Sequence, residues 1–355
     1  MRIGIITVHR ALNYGSVLQC YALQEFLKKM GHDVWVIDYR QRWVDCVDKV
    51  FSPYFVWHYL KKWDLHAIVG HWRSRESRRK FIKRVDFVFG SFVRRFNLTR
   101  PCRYRMPKGF DVYMIGSDQL WSHQCVGGED KFFLGNFRHS SKSRIIGYAL
   151  SVSTVSLELF GKNKLKKIIS NFDALTLREQ LNSDIIYDLT GIRLPVAVDP
   201  VLLTDESFWK PMVNDSWSKK TYIAVYQVRF LGGKEKVINE KAKLLAEKMN
   251  CEIIDLSYKT YSVEDFISII KYAKCVITSS FHAVVFSLIM KTPCYAVKLN
   301  DGLDVRYVDL LTKVGLEQEL VDIDFEPNML DIDFNGIDDK IDLYRKESVE
   351  FLKSI

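Results

Sequence analysis

The sequence predicts an α/β protein built from two parallel-sheet domains. Three observations carry that reading. Residues 3 to 38 form a βαβ opening, a second alternating series runs from Thr221 to Val297, and between them Pro211, Asn214, Asp215 and Ser216 interrupt the periodicity. At 355 residues the chain is too long for one core of ordinary size, which also favours two domains.

In the opening unit, Ile3 to Val8 reads as a strand and Val34 to Asp38 as its parallel partner. Leu23, Phe26, Leu27 and Met30 place one apolar face on the helix between them, and Gly31 stands where a left-handed cap belongs. The turn after the first strand carries His9, Arg10, Asn13, Tyr14, Gly15 and Ser16. Ligands bind at that edge of a doubly wound sheet, and the free amides opening the next helix favour an anion. The turn therefore reads as a site.

Residues 45–108 are a basic, aromatic insertion. Between Lys61 and Lys108 fifteen Lys or Arg face three acids, a local excess of +12 against a net charge of +9 for the whole chain. Trp57, Tyr59, Trp63, Trp72, Phe81, Phe87, Phe89, Phe92 and Phe96 are interleaved with it. Three readings compete: a solvated helical insertion with its apolar face on the protein, an anionic membrane surface, or a nucleic-acid patch. Aromatics mixed with Lys and Arg suit a lipid interface, and no nucleic-acid-binding motif accompanies them, so helices that also touch membrane are expected.

Strand patterns return at 111–115, 144–150, 174–177 and 194–198, with helical patterns between them. After the linker the second series alternates strand and helix to Val297, and a last helix over about Asp338 to Leu352 is expected to pack back on the first domain. The domain boundaries expected are 1–205, a linker at 206–220, 221–335, and the C-terminal helix in 336–355. Two such series imply two Rossmann-like domains facing a cleft.

No apolar run approaches the roughly 18 residues of a membrane span, and about five apolar residues precede His9 and Arg10, too few for a signal peptide. Seven cysteines lack both C-x-x-C pairing and histidine partners at metal spacing. Reduced thiols in a cytoplasm and no metal site are expected.

Four segments then place polar residues at strand ends. His282 follows the strand before Ser279 and Ser280 and opens a helix, where a histidine serves as acid or base, or simply packs. Asp118 follows Val112 to Ile115 and reads as a site carboxylate or an ordinary N-cap. Arg178 closes Ala174 to Leu177, where a guanidinium holds a carboxylate or phosphate bidentately, and Asp199-Pro200 closes Leu194 to Val198.

Together these segments resemble the polysaccharide pyruvyl transferase family. The resemblance rests on Asn13-Tyr14-Gly15-Ser16, Ile115-Gly116-Ser117-Asp118-Gln119, Thr176-Leu177-Arg178-Glu179, Val198-Asp199-Pro200 and Ser280-Phe281-His282, and covers essentially the whole chain. It implies a glycosyltransferase-B-like architecture. It also implies transfer of the enolpyruvyl unit of phosphoenolpyruvate onto a sugar, as a cyclic ketal, with the matching aspartate, arginine and histidine around the donor. Some members carry arginine two residues before the histidine, where this chain has Ser280, and Ala283 is often glycine.

The chemistry asks for a proton donor, a base and fixed positive charge. His282 is assigned as acid and Asp118 as base. Arg178, Arg306, Ser279 and Ser280 would bind the donor, with Arg306 replacing the absent arginine, while His9 and Asn13 to Ser16 form a donor or acceptor loop. The implied partners are phosphoenolpyruvate as donor substrate, a sugar or lipid-linked oligosaccharide acceptor, and an anionic membrane surface. The protein is expected in the cytoplasm, peripheral at the inner face of the plasma membrane, with no cofactor. The alternatives are a nucleotide-sugar glycosyltransferase of the same architecture, although no two glutamates have the E-x7-E spacing, and a non-catalytic glycan-binding member.

Overall fold

The computed structural model describes residues 1–42, 56, 60, 88–229, 233–257 and 261–355. Chain contacts divide it into two units, Met1–Arg178 with Asn182–Val196, and Glu179–Leu181 with Ala197–Ile355.

The first unit carries a five-stranded parallel sheet of β1 (Arg2–Ile6), β2 (Asp33–Val36), β3 (Val112–Asp118), β4 (Arg144–Leu150) and β5 (Ala174–Leu177), ordered β2-β1-β3-β4-β5. All of β3 is buried, as a central parallel strand covered on both faces must be. Helix α1 (Tyr14–Lys29) starts at Asn13, whose side chain accepts from Ser16 N, and gives way to Gly31 at φ +89°. That left-handed backbone is where glycine carries no Cβ penalty. Helix α2 (Thr154–Ile169) is capped by Ser153, which accepts from Ser156 N, and α3 (Gln180–Thr190) follows β5.

The second unit has α4 (Lys234–Lys248), α5 (Val263–Tyr272), α6 (Phe281–Met290), α7 (Val305–Val314) and α8 (Ile337–Lys353) with β6 (Tyr222–Tyr226), β7 (Glu252–Asp255), β8 (Cys275–Thr278), β9 (Cys294–Val297) and β10 (Leu320–Val321). Its sheet is ordered β7-β6-β8-β9-β10, again all parallel, so both units wind their strands the same way. In each, the order reverses between the first and third strands, the switch point at whose carboxyl edge ligands bind.

Several expectations need correction. The run 194–198 contributes only an isolated bridge, Leu177 to Val196, because Leu177 N donates to Pro195 O and the chain then leaves the sheet. The stretch 206–220 is no spacer: Trp209 is fully buried with its ring 5.0 Å from Phe286, and Trp217 Nε1 donates to Asp265 in α5. The second unit therefore begins at Ala197, ahead of the expected boundary. Helix α8 belongs to that unit as well. Its Ser348 Oγ accepts from Val198 N at 2.9 Å and Arg345 donates to Thr204 O, so it packs on residues 198–204, which belong to the second unit and not to the first domain as expected.

Most of the basic insertion, with Trp57, Tyr59, Trp63, Trp72, Phe81 and Phe87, lies outside the described residues. Its described end is informative. Phe89, Phe92 and Phe96 are buried, their rings 5.0 Å from Tyr14, 5.4 Å from Tyr21 and 6.4 Å from His9. These three aromatics belong to the core beside α1, so the interfacial reading does not apply to them.

Ahead of β10, Glu319 is 1% exposed and accepts from Cys294 N at 3.0 Å. Burial pushes its carboxyl up to about 8, so the folded protein holds a proton that the unfolded chain releases near pH 4.5. Stability is therefore expected to fall as pH rises from about 4.5 to 8, by up to about 1.4 kcal/mol per pH unit. Glu319→Gln keeps the acceptor and should flatten that slope in urea melts at several pH values; an unchanged slope would disprove the assignment.

Candidate active site

In the first unit, the switch point between β1 and β3 is crossed by hydrogen bonds. Ser16 Oγ donates to Asp118 Oδ2 at 2.6 Å, and Gln119 N donates to Oδ1 at 2.9 Å. Gln19 Nε2 donates to Thr7 Oγ1, and Thr7 Oγ1 donates to Ser117 O, so the start of α1 is tied to the end of β3 twice. Asp118 has φ +80°, and Gly116 before it has φ +143°, with a Cβ there falling 2.0 Å from Tyr148 O. Only glycine fits at 116, and the tight passage delivers Asp118, 9% exposed, to the strand's carboxyl edge. At the end of β5, Arg178 N donates to Leu150 O and the side chain is 3% exposed.

His9 and Tyr14 are placed differently from the expected ligand loop. His9 is buried, with Nδ1 3.1 Å from Thr7 O and Nε2 3.1 Å from Asp38 Oδ1, so both ring nitrogens face protein acceptors. Tyr14 is buried against Phe89. These side chains hold the turn in place, and Asn13 caps α1, leaving Ser16 as the loop side chain that reaches the carboxylate.

In the second unit the equivalent edge lies after β8. Ser280 N donates to Thr278 Oγ1, fixing the turn from which α6 starts. His282 lies in the helix's first turn, its Nε2 3.4 Å from Asp199 Oδ2, an ion-pair distance between two buried side chains. Asp199 is itself fixed by Val201 N, which donates to Oδ1 at 3.0 Å. Ser279 Oγ is buried and has no hydrogen-bond partner among the described residues. Arg306, at the start of α7, donates from Nε to Leu303 O and stacks its guanidinium 5.9 Å from the centre of the Phe281 ring.

Sequence reasoning missed Arg229. It follows β6 as Arg10 follows β1, and its Nη2 donates to Ser279 O at 2.8 Å, to Asp304 Oδ1 at 2.8 Å and to Tyr307 OH at 3.1 Å, while Nη1 pairs with Asp301. The matching order of the two strand series was the available signal, since it equates the loops after β1 and β6. The structure thus brings together Ser16 and Asp118 in one unit, and His282, Asp199, Ser279, Ser280 and Arg306 in the other.

Two sheets of one topology, each presenting polar side chains where its strand order reverses, define a protein of two parallel-sheet α/β units with a candidate ligand edge in each. The model of one family, polysaccharide pyruvyl transferase, matches residues 13–301. The chain belongs to that family and is a transferase. Among solved structures it is similar in fold to the S. aureus MnaA–UDP co-structure, at 10% identity over 99% of this chain and 89% of that one, with a TM-score of 0.50. The putative UDP-N-acetylglucosamine 2-epimerase from Listeria monocytogenes matches at 9% identity over 99% and 88%, TM-score 0.49. That of Methanocaldococcus jannaschii with UDP-GlcNAc and UDP matches at 12% over 97% and 93%, TM-score 0.48. No curated protein matches significantly.

Proposed function

We propose that this pyruvyl transferase takes the enolpyruvyl group from phosphoenolpyruvate and sets it on a sugar, in a lipid-linked polysaccharide precursor, as a cyclic ketal. The observation that carries this reading is the buried His282–Asp199 pair at the start of α6. A proton donor close to a helix N-terminus works against the positive end of the helix dipole, and the Asp199 carboxylate 3.4 Å from its Nε2 offsets that.

In the proposed path His282 protonates the donor's methylene carbon, leaving an oxocarbenium-like centre at the adjoining carbon. One sugar hydroxyl adds to it and passes its proton to Asp118. The second hydroxyl then displaces phosphate, returning its proton to the His282 imidazole left neutral by the first step, and the ring closes. Arg178 and Arg306 supply fixed positive charge for carboxylate and phosphate, and Ser279 Oγ and the amides opening α6 supply neutral donors.

The direct test is incubation with phosphoenolpyruvate and a panel of lipid-linked glycans, following released phosphate and product mass. His282→Gln should lose on the order of a hundredfold or more in turnover with its melting temperature nearly unchanged. Full activity in that variant would remove the acid from the scheme.

Arg306 supplies charge that Ser280 lacks. Arg306→Ala should weaken phosphoenolpyruvate binding by roughly one to two orders of magnitude in equilibrium titrations. Normal donor binding in Arg306→Ala would refute that compensation, and a donor-binding gain in Ser280→Arg would then locate the missing charge.

Among the described residues no helix is long and apolar enough to cross a membrane. The proposed peripheral attachment rests on the +12 excess of Lys61 to Lys108, since each basic residue near an anionic surface contributes about 1 kcal/mol. Cosedimentation should require anionic vesicles, weaken with salt, and vanish on charge reversal at Arg78, Arg79, Lys83 and Arg84, which lie outside the described residues. Equal recovery with neutral vesicles would exclude it.

A further inference from the structure

The proposed reaction leaves a cationic cluster of the first unit unused. Beyond the end of β2, the Asp38 side chain is 3% exposed. Arg10 Nε donates to its Oδ1 at 2.7 Å and Arg10 Nη2 to its Oδ2 at 2.9 Å. Arg40 approaches the same carboxylate, Nε 3.0 Å from Oδ1 and Nη2 donating to Oδ2 at 3.3 Å. His9 Nε2 completes the ring of partners at 3.1 Å.

The charges do not balance. One carboxylate faces two guanidinium groups, so the cluster carries at least one net positive charge before His9 is counted. A clasp that served only to fasten the turn would be complete with Arg10, whose paired donors already occupy both carboxylate oxygens. Each arginine directs two nitrogens at Asp38 and retains further N–H donors on its other edge. The Arg10 and Arg40 side chains are 31% and 34% exposed, so part of each is open to solvent. They lie at the carboxyl edge of the sheet, on the strand next to β1 and beside the turn that leads to Ser16 and Asp118.

We infer that Arg10 and Arg40, held rigid by Asp38, form a binding site for a phosphate or diphosphate ester. Planar guanidinium groups match phosphate oxygens bidentately, and anchoring them beforehand removes much of the side-chain entropy cost of binding. The anchor persists over a wide pH range. Burial alone would raise the Asp38 carboxyl, but hydrogen bonds from His9 and Arg10 outweigh it and hold the group well below the usual carboxylate range. This site shares no residue with the donor site proposed above, so each stands or falls by itself.

Calorimetric titration of the full chain with inorganic pyrophosphate tests it. Wild type should bind saturably and more weakly as salt is raised. Arg40→Gln should weaken binding about tenfold or more, while Arg40→Lys, which keeps the charge, should lose less. Arg306→Gln in the other unit should keep this binding event, and Arg193→Gln, a surface arginine paired with Asp184, should titrate as wild type. Arg40→Gln leaves the two Arg10 contacts to Asp38 intact, and its circular dichroism melt reports whether the fold has survived. A second arm adds phosphoenolpyruvate: competition at the Arg40-dependent site would assign it to the donor's phosphate, and additive binding to a phosphate on the acceptor side, both in support of the site. Pyrophosphate binding by Arg40→Gln equal to wild type, or no saturable binding by wild type, would overturn the site and leave a structural clasp.

Discussion

The Ser16 hydroxyl meets the Asp118 carboxylate at 2.6 Å across 102 residues of chain, and the candidate site of the first unit hangs on that contact. A buried hydrogen bond to an ionised group contributes roughly 1.5–3 kcal/mol, enough to hold a loop in one arrangement. It joins the first turn of α1 to the strand that β1 pairs with, and so sets where the start of α1 stands relative to the sheet edge. The second unit solves the same problem with the opposite charge. Arg229, in the loop after β6, grips the Ser279 carbonyl after β8 and is itself neutralised by Asp301 and Asp304. Both switch points are therefore stitched by side-chain hydrogen bonds.

The stitches account for where the neighbouring side chains lie. At the first, His9 and Tyr14 are spent on Asp38 and Phe89, and the carboxylate of Asp118 is delivered to the edge by a backbone that only Gly116 allows. At the second, Arg229 is surrounded by acids, so its charge serves the protein, while Arg306 lies over the Phe281 ring. Ser280 makes no side-chain cap on α6; the turn is instead held through its amide and Thr278. A larger residue at 280 would thus sacrifice no cap hydrogen bond.

Local pattern made much of this legible. The stretches 144–150, 174–177, 263–272, 275–278 and 294–297 are the elements the periodicity marks, because a buried parallel strand is a short apolar run and an amphipathic helix keeps one face. Asp118, Arg178 and His282 were legible as positions for a related reason: each lies within four residues of the end of such a run, and parallel strands gather their carboxyl ends on one edge. What escaped was decided far along the chain. The run 194–198 has the apolarity of a strand, yet pairs at one residue only, since the path from Pro195 onward follows Ser348 and α8. Helix α7 is short and mixes its apolar residues with charges, and the purpose of Asp301 and Asp304 appears only with Arg229, over 70 residues earlier. The aromatics at the end of the insertion read as a surface pattern because nothing local marks α1 as their partner.

Helix α8 gives this architecture a direction in time. Its Ser348 hydroxyl receives the amide of Val198, the residue before Asp199, from 150 positions further along the chain. The carboxylate beside His282 therefore rests on a backbone that is completed only when residues near 348 have been made. During synthesis β6 through β10 emerge first, so the second sheet precedes the support beneath Asp199, and a nascent chain acquires its full complement of contacts around that carboxylate only after Ser348 has been made.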